Sequence, residues 1–160
     1  MQSYREFPEN SRVWIYQCDR QLSPDEVKMI KQRTDQFLID WGSHGSKLSA
    51  QIEIFYNVFL VVFVDEEIAN ASGCSIDKSF QLIKDLEIEF DISLLDRMVI
   101  AYRKEQKINL CRVDEFESLI KGGIITEDTI VFNNLVDRKV DFDTKWEVLI
   151  KDSWHNRLLQ

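Results

Sequence analysis

The seven residues from Val58 to Val64, VFLVVFV, leave no room for a wet face. A strand with one side in water alternates apolar and polar residues, as Ile52, Glu53 and Ile54 do just upstream. A run that is apolar on both faces belongs at the centre of a sheet. Both stretches lie within LSAQIEIFYNVFLVVFVDE, which is too long for one strand, so it is read as a hairpin turning near Tyr56 and Asn57. Whatever else the chain does, it must build a sheet around this second arm.

The flanking segments say what that sheet contains. Ser11 to Cys18, SRVWIYQC, is β-branched and aromatic and reads as a strand. DRQLSPDE then announces a helix: Ser23 is a good N-cap, Pro24 takes the first helical position, and Glu26 completes a capping box that satisfies orphaned N–H groups. Val27, Ile30, Thr34, Phe37, Leu38 and Trp41 recur at helical spacing, and Gly42 and Gly45 end the run. Beyond the hairpin, Ile76, Phe80, Ile83, Leu86 and Phe90 predict a second amphipathic helix, and RMVIAY, Arg97 to Tyr102, a fourth strand.

Strand, helix, strand, strand, helix, strand is the order of the ferredoxin-like βαββαβ fold. The expectation is therefore an α+β protein with residues 1–104 forming a four-stranded antiparallel sheet in the order 4-1-3-2, both helices on one face. Residues 105–160 are expected to form a small C-terminal αβ extension packed on that core. It comprises KINLCRV as a strand, DEFESLIKGG as a helix capped by Asp114, TIVFNNLV as a strand, and a tail laid across the main sheet. Trp14, Ile30, Phe37, Val61, Phe80, Ile83 and Ile100 are the expected core.

A chain of 160 residues can bury one sizeable core without disulfide or metal staples. Its formal net charge of -8 argues against nucleic acid, whose affinity comes largely from Lys and Arg displacing counterions, and against anionic membrane surfaces. MQSYREFPENSR has no apolar leader region, and no apolar run is long enough to cross a bilayer. Cys18, Cys74 and Cys111 are odd in number and widely spaced, a pattern suited to reduced thiols, and the expected location is the cytoplasm.

The topology would bring the His44 loop, the acidic strand end Asp65 to Glu67, and the Cys74 loop to one edge of the sheet. A cysteine at a helix N-terminus sits in the positive end of the helix dipole, which favours its thiolate. An imidazole nearby can serve as its base with a carboxylate orienting the ring. The candidate catalytic set is thus Cys74, His44, Asp65 and Asp77, with Ser72, Gly73 and Ser75 offering backbone N–H groups to an anion or oxyanion. The plainer alternative is that Cys74 is small enough for tight packing before a helix, that Asp77 merely complements the dipole, and that His44 is an exposed turn residue. No metal site is expected, since Cys74, His44 and His155 have no short ligand spacing. No cofactor is implied. GSHGSK falls short of a nucleotide-binding P-loop, because GxxxxGK[ST] needs glycine where Lys47 stands and lysine where Leu48 stands, so ATP is not an expected ligand.

WGSHG, VDE, SGCSID, FDISLLDR, VFNNLV and DSWHNR together resemble a family of small Bacteroidetes proteins often labelled "ABC transporter ATPase". The missing P-loop, and NASGCS in place of an LSGGQ-type signature, set this chain against that label, and the resemblance implies no activity. EFESLIKGGIITEDTIVF is similar to the helix and strand of type-2 GYF modules, which implies a protein-interaction role, although RKEQKINL stands where those modules carry their Gly-Pro-aromatic stretch. The functional expectation is a non-catalytic cytoplasmic binding or adaptor protein for a protein or small-molecule partner, with a homodimer allowed for. The alternative is a cysteine-dependent enzyme (hydrolase, transferase or thiol-redox) built on Cys74 and His44.

Overall fold

The protein is α+β, with two antiparallel sheets packed face to face between two helical layers. Its computed structural model describes residues 3–43, 46–67 and 71–160. In the first half, β1 (Arg12–Gln17) is followed by α1 (Pro24–Asp40), two short strands β2 (Gly42–Ser43) and β3 (Ser46–Lys47), the hairpin β4 (Ser49–Phe55) and β5 (Phe59–Asp65), and α2 (Gly73–Phe90). The second half runs β6 (Val99–Lys104), β7 (Lys107–Arg112), α3 (Val113–Lys121), β8 (Ile130–Phe132), α4 (Lys139–Lys145) and β9 (Glu147–Leu149), ending in two 3-10 turns. No helix among the described residues is long and apolar enough to cross a membrane.

The local signals behave as their chemistry requires. Ser23 Oγ accepts the Glu26 N–H at 3.1 Å while Glu26 Oε1 accepts the Ser23 N–H at 2.9 Å, which is the capping box in full. Arg20 adds a bidentate grip on Glu26 and donates to the Phe90 carbonyl, so the start of α1 is tied to the end of α2. Tyr56 and Asn57 both take left-handed backbone angles, φ 55° and 59°, as a two-residue hairpin turn demands, and Val58 N–H closes the turn on Phe55 O.

Every residue of β5 is buried, because β5 is central and covered on both faces. Leu60, Val62 and Val64 pack with Ile52 of β4 beneath α1 and α2. Phe59, Val61 and Phe63 face the other way, onto Ala101, Phe132, Phe142 and Trp146. A third cluster, built on Ile100, Tyr102, Phe116, Val131 and Ile150, lies behind the second sheet under α3 and the C-terminal turns.

The four-stranded 4-1-3-2 ferredoxin-like sheet does not form. The first sheet is β1-β5-β4, and the expected fourth strand, β6, sits in a second sheet of order β7-β6-β8-β9. Both edges of β6 are taken elsewhere: Glu105 and Gln106 have φ 54° and 66° and fold β7 back on β6 over six residue pairs, and β8 pairs on the other edge at Tyr102 and Val131. The boundary after residue 104 therefore falls inside a hairpin. The tail divides its work, since Trp146 packs toward the first sheet while β9 extends the second and Trp154 covers its back. Of the expected core, Ile30, Val61, Ile83 and Ile100 are buried and Trp14 and Phe37 half-buried, but Phe80 is 41 % exposed. On α2 the buried stripe runs through Ser75, Leu82, Leu86 and Phe90, one step round from Phe80.

Candidate functional site

The first place to look is the start of α2. Ser72 is the N-cap and its Oγ accepts the Ser75 N–H at 3.2 Å; Ser75 Oγ donates to the Ser72 carbonyl at 2.9 Å. The Ser75 carbonyl accepts the indole N–H of buried Trp41 at 2.8 Å, pinning the end of α1 to the start of α2. Of the backbone N–H groups expected to face an anion, that of Ser75 is thus taken by the Ser72 hydroxyl within the cap. Gly73 is exposed, and a methyl added there would meet nothing within 4 Å, so packing does not require a small residue at that position. Cys74 is exposed in the first turn, and Asp77 is exposed one turn on.

The predicted convergence of loops is partly visible. Ser49 pairs with Asp65 at the end of the β4–β5 ladder, and Leu48 N–H donates to Trp41 O. Asp65, almost fully buried, closes its own turn by accepting the Glu67 N–H at 3.0 Å. The residue that organises this corner is Glu66: it accepts from Ala71 N–H at 3.1 Å and lies 3.3 Å from Arg12 and 4.0 Å from Arg138. His44 lies outside the described residues, so its pairing with Cys74 is not placed. His155 sits in the third cluster near Phe116, hydrogen-bonded to Ser153 Oγ at 2.7 Å. Among the described residues no three His, Cys, Asp or Glu side chains are grouped to hold a metal ion.

A second candidate, absent from the sequence reading, is a cleft of about 370 Å³ between the two sheets. One side is the free edge of β1, at Ile15, Tyr16 and Gln17; the opposite side is β6 with the Phe132–Leu135 loop; the connection Leu94–Arg97 and the C-terminal turn carrying Trp154, His155 and Arg157 close the ends. Its size is that of an ordinary small-ligand or peptide-side-chain site. Its floor is fixed by a relay of amides: Trp146 Nε1–H donates to Asn134 Oδ1, Asn134 Nδ2–H to Gln17 Oε1, and Gln17 Nε2–H to the Val99 carbonyl, at 2.9, 2.9 and 3.0 Å. Such a chain joins both sheets through three consecutive side-chain hydrogen bonds.

The charges at this cleft are uneven. Asp96 is engaged by the Met98 N–H at 2.9 Å and Arg112 at 3.2 Å, which together hold its carboxyl below the usual range, the backbone bond more than the guanidinium. Arg97 and Arg157 form no ion pair among the described residues; Arg157 lies over the Trp154 ring at 5.0 Å. His155 is neutral, its pKa pushed down to about 4 by burial and then by the Arg157 charge. In a chain of net charge -8, two uncommitted guanidiniums beside apolar walls favour an occupant with an apolar body and an anionic group. Among the described residues no hydroxyl, thiol or carboxylate at the cleft is hydrogen-bonded to His155 apart from Ser153, which is buried beside it. Sequence order gave no hint of the cleft, because its walls come from four segments separated by dozens of residues.

Neither a family model nor a curated protein nor a solved structure matches the chain.

Proposed function

We propose that this is a non-catalytic binding or adaptor protein of the cytoplasm, and that its ligand occupies the cleft between the two sheets. The observation that carries the reading is the pairing of apolar walls with Arg97 and Arg157, two cations that no acidic side chain among the described residues neutralises. Free thiols at Cys18, Cys74 and Cys111 suit a reducing compartment. Neither ATP nor nucleic acid is required by it.

Anilinonaphthalene sulfonate, an aromatic anion, is a direct probe. It is expected to bind the folded protein with a saturable, one-to-one fluorescence rise, and the double variant Arg97→Gln, Arg157→Gln should weaken it about tenfold, equal to the loss of about 1.4 kcal/mol. Both residues are exposed, so the variant should fold normally. Equal affinity in the two proteins would defeat the cleft reading.

The cysteine-dependent enzyme has one observation in its favour, the exposure of Cys74 in the first turn of α2. Iodoacetamide at neutral pH is expected to modify Cys74 alone in the folded protein. Burial pushes the Cys18 thiol up to about 12 and the Cys111 thiol up to about 11, so both should react only on unfolding. Under the binding reading the alkylated protein holds the probe as well as the unmodified one does; lost binding would move the site to α2.

A further inference from the structure

Resting on that reading, we propose that the occupant of the cleft is an extended acidic peptide, which adds as a strand to the open edge of β1 and places a carboxylate on Arg97 and Arg157. In an antiparallel ladder the N–H and C=O of each residue point to one side, alternating along the strand. Val13 N–H donates outward to Asp137 O at 2.9 Å, and Cys18 N–H donates inward to Val58 O at 2.8 Å. The odd residues of β1 therefore point away from β5, and the outward groups without a partner among the described residues are the N–H and C=O of Ile15 and of Gln17 and the carbonyl of Val13.

The same alternation holds on the far edge of the sheet, where the even residues of β4 point outward and the Ile52 carbonyl is capped by Lys31 Nζ at 2.9 Å. There the edge is blunted by a lysine, a common protection against strand pairing. At β1 the backbone of Ile15 has no such partner among the described residues and opens into the cleft. From Val13 to Gln17 the edge spans about 14 Å at about 3.4 Å per residue, room for a core of about four peptide residues before the Asp137–Lys139 segment blocks it. Backbone pairing would supply affinity, alternate side chains would meet Leu94 and Leu95 or Phe132 and Trp154, and the two guanidiniums would select acid.

The test uses a mixture of N-acetylated hexapeptides, randomised over Val, Thr, Leu and Phe at the central positions and ending in two glutamates, added to the full chain at about 1 mM. Exchange of the Ile15 and Gln17 amide protons, followed by NMR, is expected to slow about tenfold or more on binding, as new hydrogen bonds demand. Replacing both glutamates by glutamine should weaken binding about tenfold. N-methylating alternate amides should abolish binding in one parity and spare the other. Ile15→Pro removes the outward N–H at an edge where proline is tolerated, and should lose peptide while retaining anilinonaphthalene sulfonate. If that variant does not fold, the N-methylated peptides carry the same question on the unaltered protein. Binding of anilinonaphthalene sulfonate with no slowing at Ile15 on adding peptide would overturn strand addition and leave the cleft reading standing; failure of the sulfonate overturns the cleft itself. Slowing at Ile15 on concentrating the protein alone would assign the edge to a second copy of the chain and also overturn the proposal.

Discussion

Trp146→Ala is expected to cost about 3 to 5 kcal/mol, the range for removing a buried aromatic from a packed core. The indole is 4 % exposed, stacked on Phe142 at 4.6 Å and edge-on to Phe59 and Phe132 at 4.9 and 5.2 Å. It therefore touches the first sheet, the second sheet and α4 at once. Its N–H also begins the relay through Asn134 and Gln17 to Val99, so truncation would open a cavity and break the link between the sheets. Trp146→Phe separates the two effects. It keeps a ring in the cluster but leaves Asn134 Oδ1 without its donor, for a cost of about 1 to 3 kcal/mol. Urea unfolding followed by midpoint at constant slope is the measurement. A loss under about 1 kcal/mol for the alanine variant would mean that the sheets are not held together by this cluster.

What the sequence conveyed depended on whether each signal was local. The capping box at Ser23, the hairpin turn at Tyr56 and Asn57, and the two-sided burial of Val58 to Val64 are settled by neighbours in the chain, and all three are found. Phe80 misled because α2 carries two adjacent apolar stripes, and the buried one begins at a serine. Ser75 is 1 % exposed because its carbonyl holds Trp41 and its hydroxyl holds the helix cap, a role that hydropathy cannot register.

The topology turned on a smaller clue. Glu105 and Gln106 separate two strand-like runs by two residues, as close a spacing as Tyr56 and Asn57 provide, yet without glycine or asparagine to advertise left-handed angles. With β7 folded onto one edge of β6 and β8 paired on the other, β6 does not pair with β1, and the edge of β1 is left open. The cleft is the consequence of both pairings together. No periodicity in β1 itself could reveal it, because an edge strand and a central strand of the same sequence differ only in what stands beside them. The neighbourhood of Cys74 was easier to read, since the pairing of β4 with β5 and the return of α1 fix it, although the place of His44 lies outside the described residues.

Lowering the pH should weaken the fold through His155 before most buried carboxylates matter. The folded ring has a pKa of about 4, against 6.5 in the unfolded chain, because Trp154, stacked at 3.8 Å, and Phe116 help exclude water and because Arg157 repels a second cation. With the folded value depressed, the unfolded state takes up the proton first. The contribution is therefore fully present above about pH 6.5, is lost as pH falls from there through about 4, and amounts in total to on the order of 3 kcal/mol. Carboxylates titrate over part of the same range, so the informative quantity is the difference between the protein and His155→Asn, which keeps a partner for Ser153 Oγ but cannot be charged. Urea unfolding at several pH values should show the native protein's advantage shrinking, or reversing, by on the order of 3 kcal/mol between pH 7 and pH 4. A difference that stays constant with pH would mean that the ring titrates alike in the folded and unfolded chain, and hence that the C-terminal turn does not seal the back of the second sheet.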